Sequence, residues 1–191
     1  VDRLVGSEMC IRDRVNADKK ALEKSIKIMN DTWELFFNKE TQLFQKNIIK
    51  DNDLFASPID LNDSNIPNGN SVYLLISNKL YSITNDKIWS ERNEVLKKSF
   101  HQVLNSYYSQ MFSFIKTLDI CDNSLSFTFS GTSQSIKEIQ LYLQKEYLGV
   151  ATFVYQLNND TKPSVIICKN QTCSNKLTNI NEAVEYLSKS Y

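Results

Sequence analysis

The chain has 191 residues, enough for a domain with a real core. Lysine plus arginine equals aspartate plus glutamate at 22 each, and the zero net charge argues against a nucleic-acid or anionic-membrane binder. No apolar run approaches the length of a membrane span, and a count of only four glycines and three prolines fits a helix-dominated fold.

Val1 to Arg14 stands apart from the rest. Val5-Gly6-Ser7-Glu8-Met9-Cys10-Ile11-Arg12-Asp13-Arg14 has neither helix nor strand periodicity, and with Arg3 it concentrates arginine in a chain that otherwise prefers lysine. It resembles a peptide that recurs at the ends of unrelated metagenomic reading frames, where sequencing-adapter DNA has been translated. Residues 1–14, Cys10 included, are therefore set aside as non-native. A targeting peptide is disfavoured, because the segment has no apolar stretch and acidic residues interrupt it.

From Ala17 to about Asn38 the pattern is helical, with Leu22, Ile26, Met29, Trp33 and Phe36 recurring every three or four residues. Trp33, Phe36 and Phe37 are most simply core, with a sugar-stacking platform as the alternative. Asn47 to Asn62 is loop-like, with Asp51-Asn52-Asp53 and Ser57-Pro58 as turn signals. Asp51, Asp53, Asp60 and Asp63 lack the central glycine and terminal glutamate of an EF-hand, so no metal site is expected.

Asp63-Ser64-Asn65-Ile66-Pro67-Asn68-Gly69-Asn70-Ser71 is the most specific text in the chain. Pro67 fixes its own φ and biases Ile66 toward extended backbone. Gly69 allows a positive φ or a close backbone approach, and Asn70 or Ser71 can cap the helix that follows. That helix runs through Val72, Leu75, Ile76 and Leu80. The residues by themselves admit either a well-capped loop or a ligand-binding mouth. Leu80 to Asp86 closes one helix and opens the next, with Asn85 suited to a left-handed C-cap. The next helix carries Ile88, Val95, Leu96, Phe100, Val103 and Leu104, breaks near Asn105-Ser106, and resumes through Tyr108, Met111, Phe112, Ile115 and Leu118. Short links between helices predict antiparallel hairpins. His101, the single histidine, is expected at the surface or core edge rather than as a ligand or base.

After Asp119 the period changes. Leu125, Phe127 and Phe129 alternate with Ser and Thr, as does the set Ala151, Phe153, Tyr155 and Leu157 with its neighbours, and Pro163 to Cys168 is a short apolar strand. A helix starts near Ser135, where Ser135-x-x-Glu138 fits a capping box, and a last helix is capped near Thr178. The order is β-α-β-β-α, a small sheet with helices on one face.

The Asp63–Ser71 stretch resembles the Asp-x-Ala-x-Pro-Ser-Gly-Asn-Ser motif of the thioredoxin-domain-containing, spermatogenesis-associated protein family. Asp63, Pro67, Gly69, Asn70 and Ser71 match, while Asn65 and Asn68 replace the alanine and serine. The family's aromatic-rich helix ends in a Gly-Gly-Phe-Phe turn, for which this chain has Thr41-Gln42-Leu43-Phe44. The Leu80–Asp86 link is similar to the family's Leu-Thr-Gly-Asp connection. The segment from Val165 through Cys168 to Cys173 is similar to its terminal Val-Cys-x-Asn-x-x-Cys. The likeness runs from about Lys19 to Leu187. Members join an N-terminal thioredoxin-like domain to an (α/α)6 toroid of the six-hairpin glycosidase type, followed by a small α/β segment. The resemblance therefore implies a mainly α chain with a small α/β C-terminal part. Residues 15–119 would be the last toroid hairpins and residues 120–191 the β-α-β-β-α segment. The chain would be a C-terminal fragment whose thioredoxin-like and remaining toroid portions are its natural partners.

Three functional readings follow. In the first, a carbohydrate-linked toroid places Asp63, Pro67, Gly69, Asn70 and Ser71 at a cavity rim for a carbohydrate-like small molecule. Glycoside hydrolysis or epimerisation needs a second positioned group that this stretch does not identify. In the second, a redox-linked binding or scaffold module uses Cys168 and Cys173. A strand, a tight turn and a second cysteine can bring two sulfurs within bridging distance, whereas two inert thiols or a zinc site lacking further ligands are the competing readings. The third is a helical interaction domain without catalysis. All three expect a cytoplasmic chain with no cofactor, no metal, and no nucleic-acid or membrane partner.

Overall fold

The computed structural model describes residues 19–47, 59, 61–63, 67–147, 149–160, 162–169 and 172–190. Residues 1–14, Asn65, and the loop acids Asp51, Asp53 and Asp60 lie outside them. The described residues are mainly helical with a small mixed sheet, and they divide into two compact units at Cys121/Asp122.

The helical unit starts with α1 (Lys19–Phe36), which runs directly into β1 (Phe37–Asn38), paired antiparallel with β2 (Leu43–Phe44). The turn between these strands lacks the glycines of the resembled family and is closed by side chains instead. Asn38 Oδ1 accepts hydrogen bonds from the N–H groups of Glu40 and Thr41, and Gln42 takes the left-handed conformation with φ 57°. The Gln42 side chain is held there by a hydrogen bond from Ser99 Oγ.

Next come α2 (Gly69–Thr84) and α3 (Lys87–Tyr107), joined by only Asn85 and Asp86. Asn85 is left-handed as expected, with φ 55° and its N–H on Tyr81 O, and Asp86 caps α3 by accepting from Ile88 N. Helix α3 continues past Asn105-Ser106 to Tyr107 and passes through a 3-10 turn (Tyr108–Gln110) into α4 (Phe112–Asn123), so the expected break falls later.

The buried faces differ in part from those expected: Leu80, Leu96, Phe100 and Met111 are buried as their spacing predicts, and other positions are not. Helix α2 buries Asn70, Ser71, Tyr73, Leu74, Ser77 and Leu80, while Val72 and Ile76 face outward. Two buried polar residues, Asn70 and Ser77, rotate the helix away from the stripe its apolar residues alone would select. On α3, Trp89, Asn93, Leu96 and Phe100 point inward and Ile88 outward. Near α4, Met111, Phe114, Thr117 and Cys121 are buried, whereas Tyr108, Phe112 and Ile115 are exposed. The aromatic pair Phe100–Phe114 stacks with centroids 3.7 Å apart at the centre of this core.

The second unit contains β3 (Leu125–Gly131), α5 (Ser133–Glu146), β4 (Ala151–Leu157), β5 (Ser164–Lys169), β6 (Thr172–Cys173) and α6 (Ile180–Ser190). The strand order is β4-β3-β5-β6, with β3/β4 parallel across the α5 crossover and the other pairs antiparallel. Odd-numbered residues Leu125, Phe127, Phe129, Val165 and Ile167 face Ile136, Ile139, Leu143, Ala183 and Leu187 of the two helices. Registered aromatics extend this layer onto β4, with Phe127–Phe153 at 5.5 Å and Phe129–Tyr155 at 5.8 Å.

Both helix starts lie slightly off their expected positions. Thr132, not Ser135, caps α5 by accepting from Ser135 N, and Asn179, not Thr178, accepts from Asn181 N at the start of α6. Gly131 before α5 has φ 147°, and a Cβ there would lie 3.2 Å from the Pro163 backbone.

Candidate functional site

The Asp63–Ser71 motif is a hydrogen-bonded staple. Asn68, not Asn70 or Ser71, is the N-cap of α2, its Oδ1 accepting from Ser71 N and Ser71 Oγ, each at 2.9 Å. Its amide nitrogen donates to Asp63 Oδ1 at 2.9 Å and to Ser113 Oγ at 3.2 Å. A serine at this position could form the cap but could not make the second set of bonds.

Asp63 in turn accepts from Asn68 N, from Ser113 Oγ, and from Ser113 N at 2.6 Å. It therefore caps the start of α4 from a distant loop, while its own N–H reaches Gln110 O at 2.7 Å. Burial pushes the Asp63 carboxyl up, but the hydrogen bonds from Ser113 and Asn68 outweigh that and hold it below its ordinary value. Such a carboxylate is ionised and its oxygens are engaged. That is the chemistry of an anchor, whereas a general acid must hold a proton near neutral pH.

Asn70 is fully buried and pairs with the Phe44 backbone through both ends of its amide. Oδ1 accepts from Phe44 N at 2.8 Å, and Nδ2 donates to Phe44 O at 3.3 Å. It thereby acts as a third strand against β2. Gly69 is the first residue of α2 and does not use the positive φ open to it, and Pro67 is exposed. The structure thus brings Asp63, Asn68, Asn70 and Ser71 together as structural contacts. Asn68 and Ser113 were not singled out from the sequence. Ser113, at the second position of α4 and following the 3-10 turn, carried only the weak signal of a small polar residue near a helix start.

Cys168 and Cys173 are disulfide-bonded, with Cα atoms 4.0 Å apart. They sit directly opposite each other across the β5–β6 hairpin, whose closing pair is Lys169↔Thr172. Cys173 is exposed and Cys168 partly buried. Cys121 is buried in the helical unit and takes no part. Among the described residues no group of three His, Cys, Asp or Glu side chains could hold a metal.

A third cluster was not anticipated. Arg92 Nη1 donates to Asn30 Oδ1 at 2.8 Å and to Tyr73 Oη at 3.0 Å. Its guanidinium lies 4.8 Å from the Trp33 ring centroid and 5.1 Å from that of Trp89. Trp33 also stacks on Phe37 at 3.8 Å and meets Phe44 and Tyr73, so its ring serves as packing rather than as a sugar platform. The available sequence signal was that Arg92 is the only arginine after Arg14. His101 is exposed on α3, beside an open cleft of about 810 Å³ lined also by Glu94, Lys97 and Lys98.

Compared with known proteins, the chain matches no family model and no curated sequence. No described helix is long and apolar enough to cross a membrane.

Proposed function

We propose that the chain is a redox-linked binding module, the C-terminal part of a protein of the thioredoxin-domain-containing, spermatogenesis-associated type. In this reading the helical unit supplies the last hairpins of an (α/α)6 toroid. The Cys168–Cys173 pair exchanges with the thioredoxin-like domain. The observation that carries it is the disulfide itself, held on a two-residue edge strand with Cys173 open to solvent. Disulfides that persist for structural reasons belong to oxidising compartments, and exposed ones in reducing compartments are exchangeable.

The exchange is balanced. A thiolate of the thioredoxin-like dithiol attacks Cys173 Sγ, and Cys168 leaves as a thiolate and takes a proton. The partner's second thiol then displaces Cys173 from the mixed disulfide. The pair gains two electrons and two protons, and the partner is oxidised to its disulfide. Equilibrating the chain in glutathione buffers and counting trapped thiols by mass spectrometry tests this step. A transition between about −180 and −300 mV is expected. A pair whose state is constant across that window sinks the redox reading. The fragment relationship has its own test in the source DNA upstream of the Val15 codon, which should continue into further helical hairpins and a thioredoxin-like domain.

The carbohydrate-linked reading makes Asp63 a rim anchor and not the catalytic acid. It predicts no glycosidase or epimerase turnover by this chain alone. Turnover abolished by Asp63→Asn is the result that overturns it.

A further inference from the structure

We propose that one exposed face of α1 is a self-association surface, on which a second copy of the chain lays its own α1 antiparallel across a two-fold axis at Ile28. Helix α1 carries two uncharged stripes side by side. Leu22, Ile26, Met29, Trp33 and Phe36 pack in the core of the helical unit. Ala21, Ser25, Ile28, Thr32 and Leu35, each one position earlier, form the second stripe. Its alternating steps of four and three residues are those of a helix–helix seam. This stripe is open to solvent. Ile28 is 52% and Leu35 39% exposed, Ala21 and Ser25 are also exposed, and Thr32 is half-buried.

The second stripe is suited to lose its water. Every charged residue of α1 lies outside it. The hydroxyls of Ser25 and Thr32 donate back to Ala21 O at 2.9 Å and to Ile28 O at 2.8 Å, so neither donor depends on solvent. Ala21, Ser25 and Thr32 are small enough to let a second helix come near, with Ile28 and Leu35 projecting between them. The border of the stripe selects the partner. Lys24 and Asp31 are both exposed, stand about two turns apart on the same border, and flank Ile28. An antiparallel copy about an axis at Ile28 brings Lys24 of each chain to Asp31 of the other, so the face is complementary to itself. A parallel copy would turn that border toward the second chain's Met29 and Phe36, which already pack in their own core. One helix pair is a small interface, so the association is weak and concentration-dependent.

Sedimentation equilibrium of the whole chain in low-salt buffer should show a reversible monomer–dimer transition with a Kd of about 10–200 μM. Ile28→Lys sets a cation against its own copy and should leave only monomer. Lys24→Glu turns a carboxylate on the copy's Asp31, and Asp31→Lys turns an ammonium on the copy's Lys24. Each alone should weaken self-association at least about fivefold. An equimolar mixture of these two variants regains both opposite-charge contacts, and its Kd should return to within about threefold of the unaltered chain's. The substituted side chains are solvent-exposed, and matching far-UV spectra check that each variant keeps its fold. A chain that stays monomeric to ~500 μM overturns the proposal and leaves the face to a different helix. So does a mixture that associates no better than its components, or an Ile28→Lys variant that dimerises as the unaltered chain does.

Discussion

Asp63 and Ser113 are joined twice, backbone N–H to Oδ2 and hydroxyl to Oδ1, across fifty positions of sequence. One carboxylate thus ties the loop before α2 to the first turn of α4 and, through Asn68, to the cap of α2. Asp63→Asn removes the charge and turns an N–H donor toward Ser113. At neutral pH it should cost about 1.5–3 kcal/mol in urea unfolding, the range for hydrogen bonds to a charged group. The pH dependence follows from the lowered pKa of the folded carboxyl. Its stabilisation is fully present above the ordinary carboxylate value and is lost as pH falls through the depressed one. The gap between wild type and Asp63→Asn should therefore narrow only in strong acid. A gap that is the same at pH 7 and pH 2 would show that the carboxylate is not the group responsible.

The α2 face supplies a second prediction and shows where the sequence was legible. Leu74 is buried completely, while Val72 and Ile76 are exposed. Leu74→Ala should cost about 2–5 kcal/mol, and Val72→Ala and Ile76→Ala no more than roughly 0.5 kcal/mol each, by chemical denaturation. Element types along most of the chain were legible because period 3.6 and period 2 survive in the apolar pattern, as in Leu22–Phe36 and Leu125–Phe129. The phase of α2 was not legible, because Asn70 and Ser77 are buried through specific hydrogen bonds that hydrophobicity cannot see. The same limit applied at the motif. Its importance was readable from residue types, but Asn68 as the cap and Ser113 as the partner depend on tertiary contacts. Arg92 was missed because its meaning lies in Trp33, Asn30 and Tyr73 reaching it from two other helices, while only Trp89 shares its own.

Asn70 makes a sharper test of the motif than the other residues assigned to a cavity rim. Its amide satisfies both the N–H and the C=O of Phe44, which is itself buried. Asn70→Ala leaves those two backbone groups without that partner in a closed core, each costing about 1–3 kcal/mol. The loss should be at least about 2 kcal/mol by urea titration. Asn70→Asp should be no better, because a carboxylate can accept from Phe44 N but is repelled by Phe44 O. If Asn70→Asp matches wild-type stability at neutral pH, the amide pairing is not what holds β2.

Reduction of Cys168–Cys173 should loosen one edge of the sheet without unfolding the unit. The two cysteines are five positions apart, so the closed loop is short, and the chain-entropy model assigns it only about 2 kcal/mol. The outer edge of β5 has other bonds. Ser174 N donates to Ile167 O at 2.8 Å, Ile167 N donates to Ser174 Oγ at 3.0 Å, and Val165 and Leu177 exchange a backbone pair at 2.9 Å each way. Those contacts should keep the segment after β6 in place when the sulfurs part. Hydrogen exchange on the dithiol form should therefore show faster exchange confined to the hairpin around Lys169 and Thr172, with β3 and the inner residues of β5 still protected. Cys168→Ser should reproduce that pattern in the absence of reductant. Loss of protection throughout β3 in either sample would mean that the disulfide holds the whole sheet, and a reversible exchange role would then be untenable.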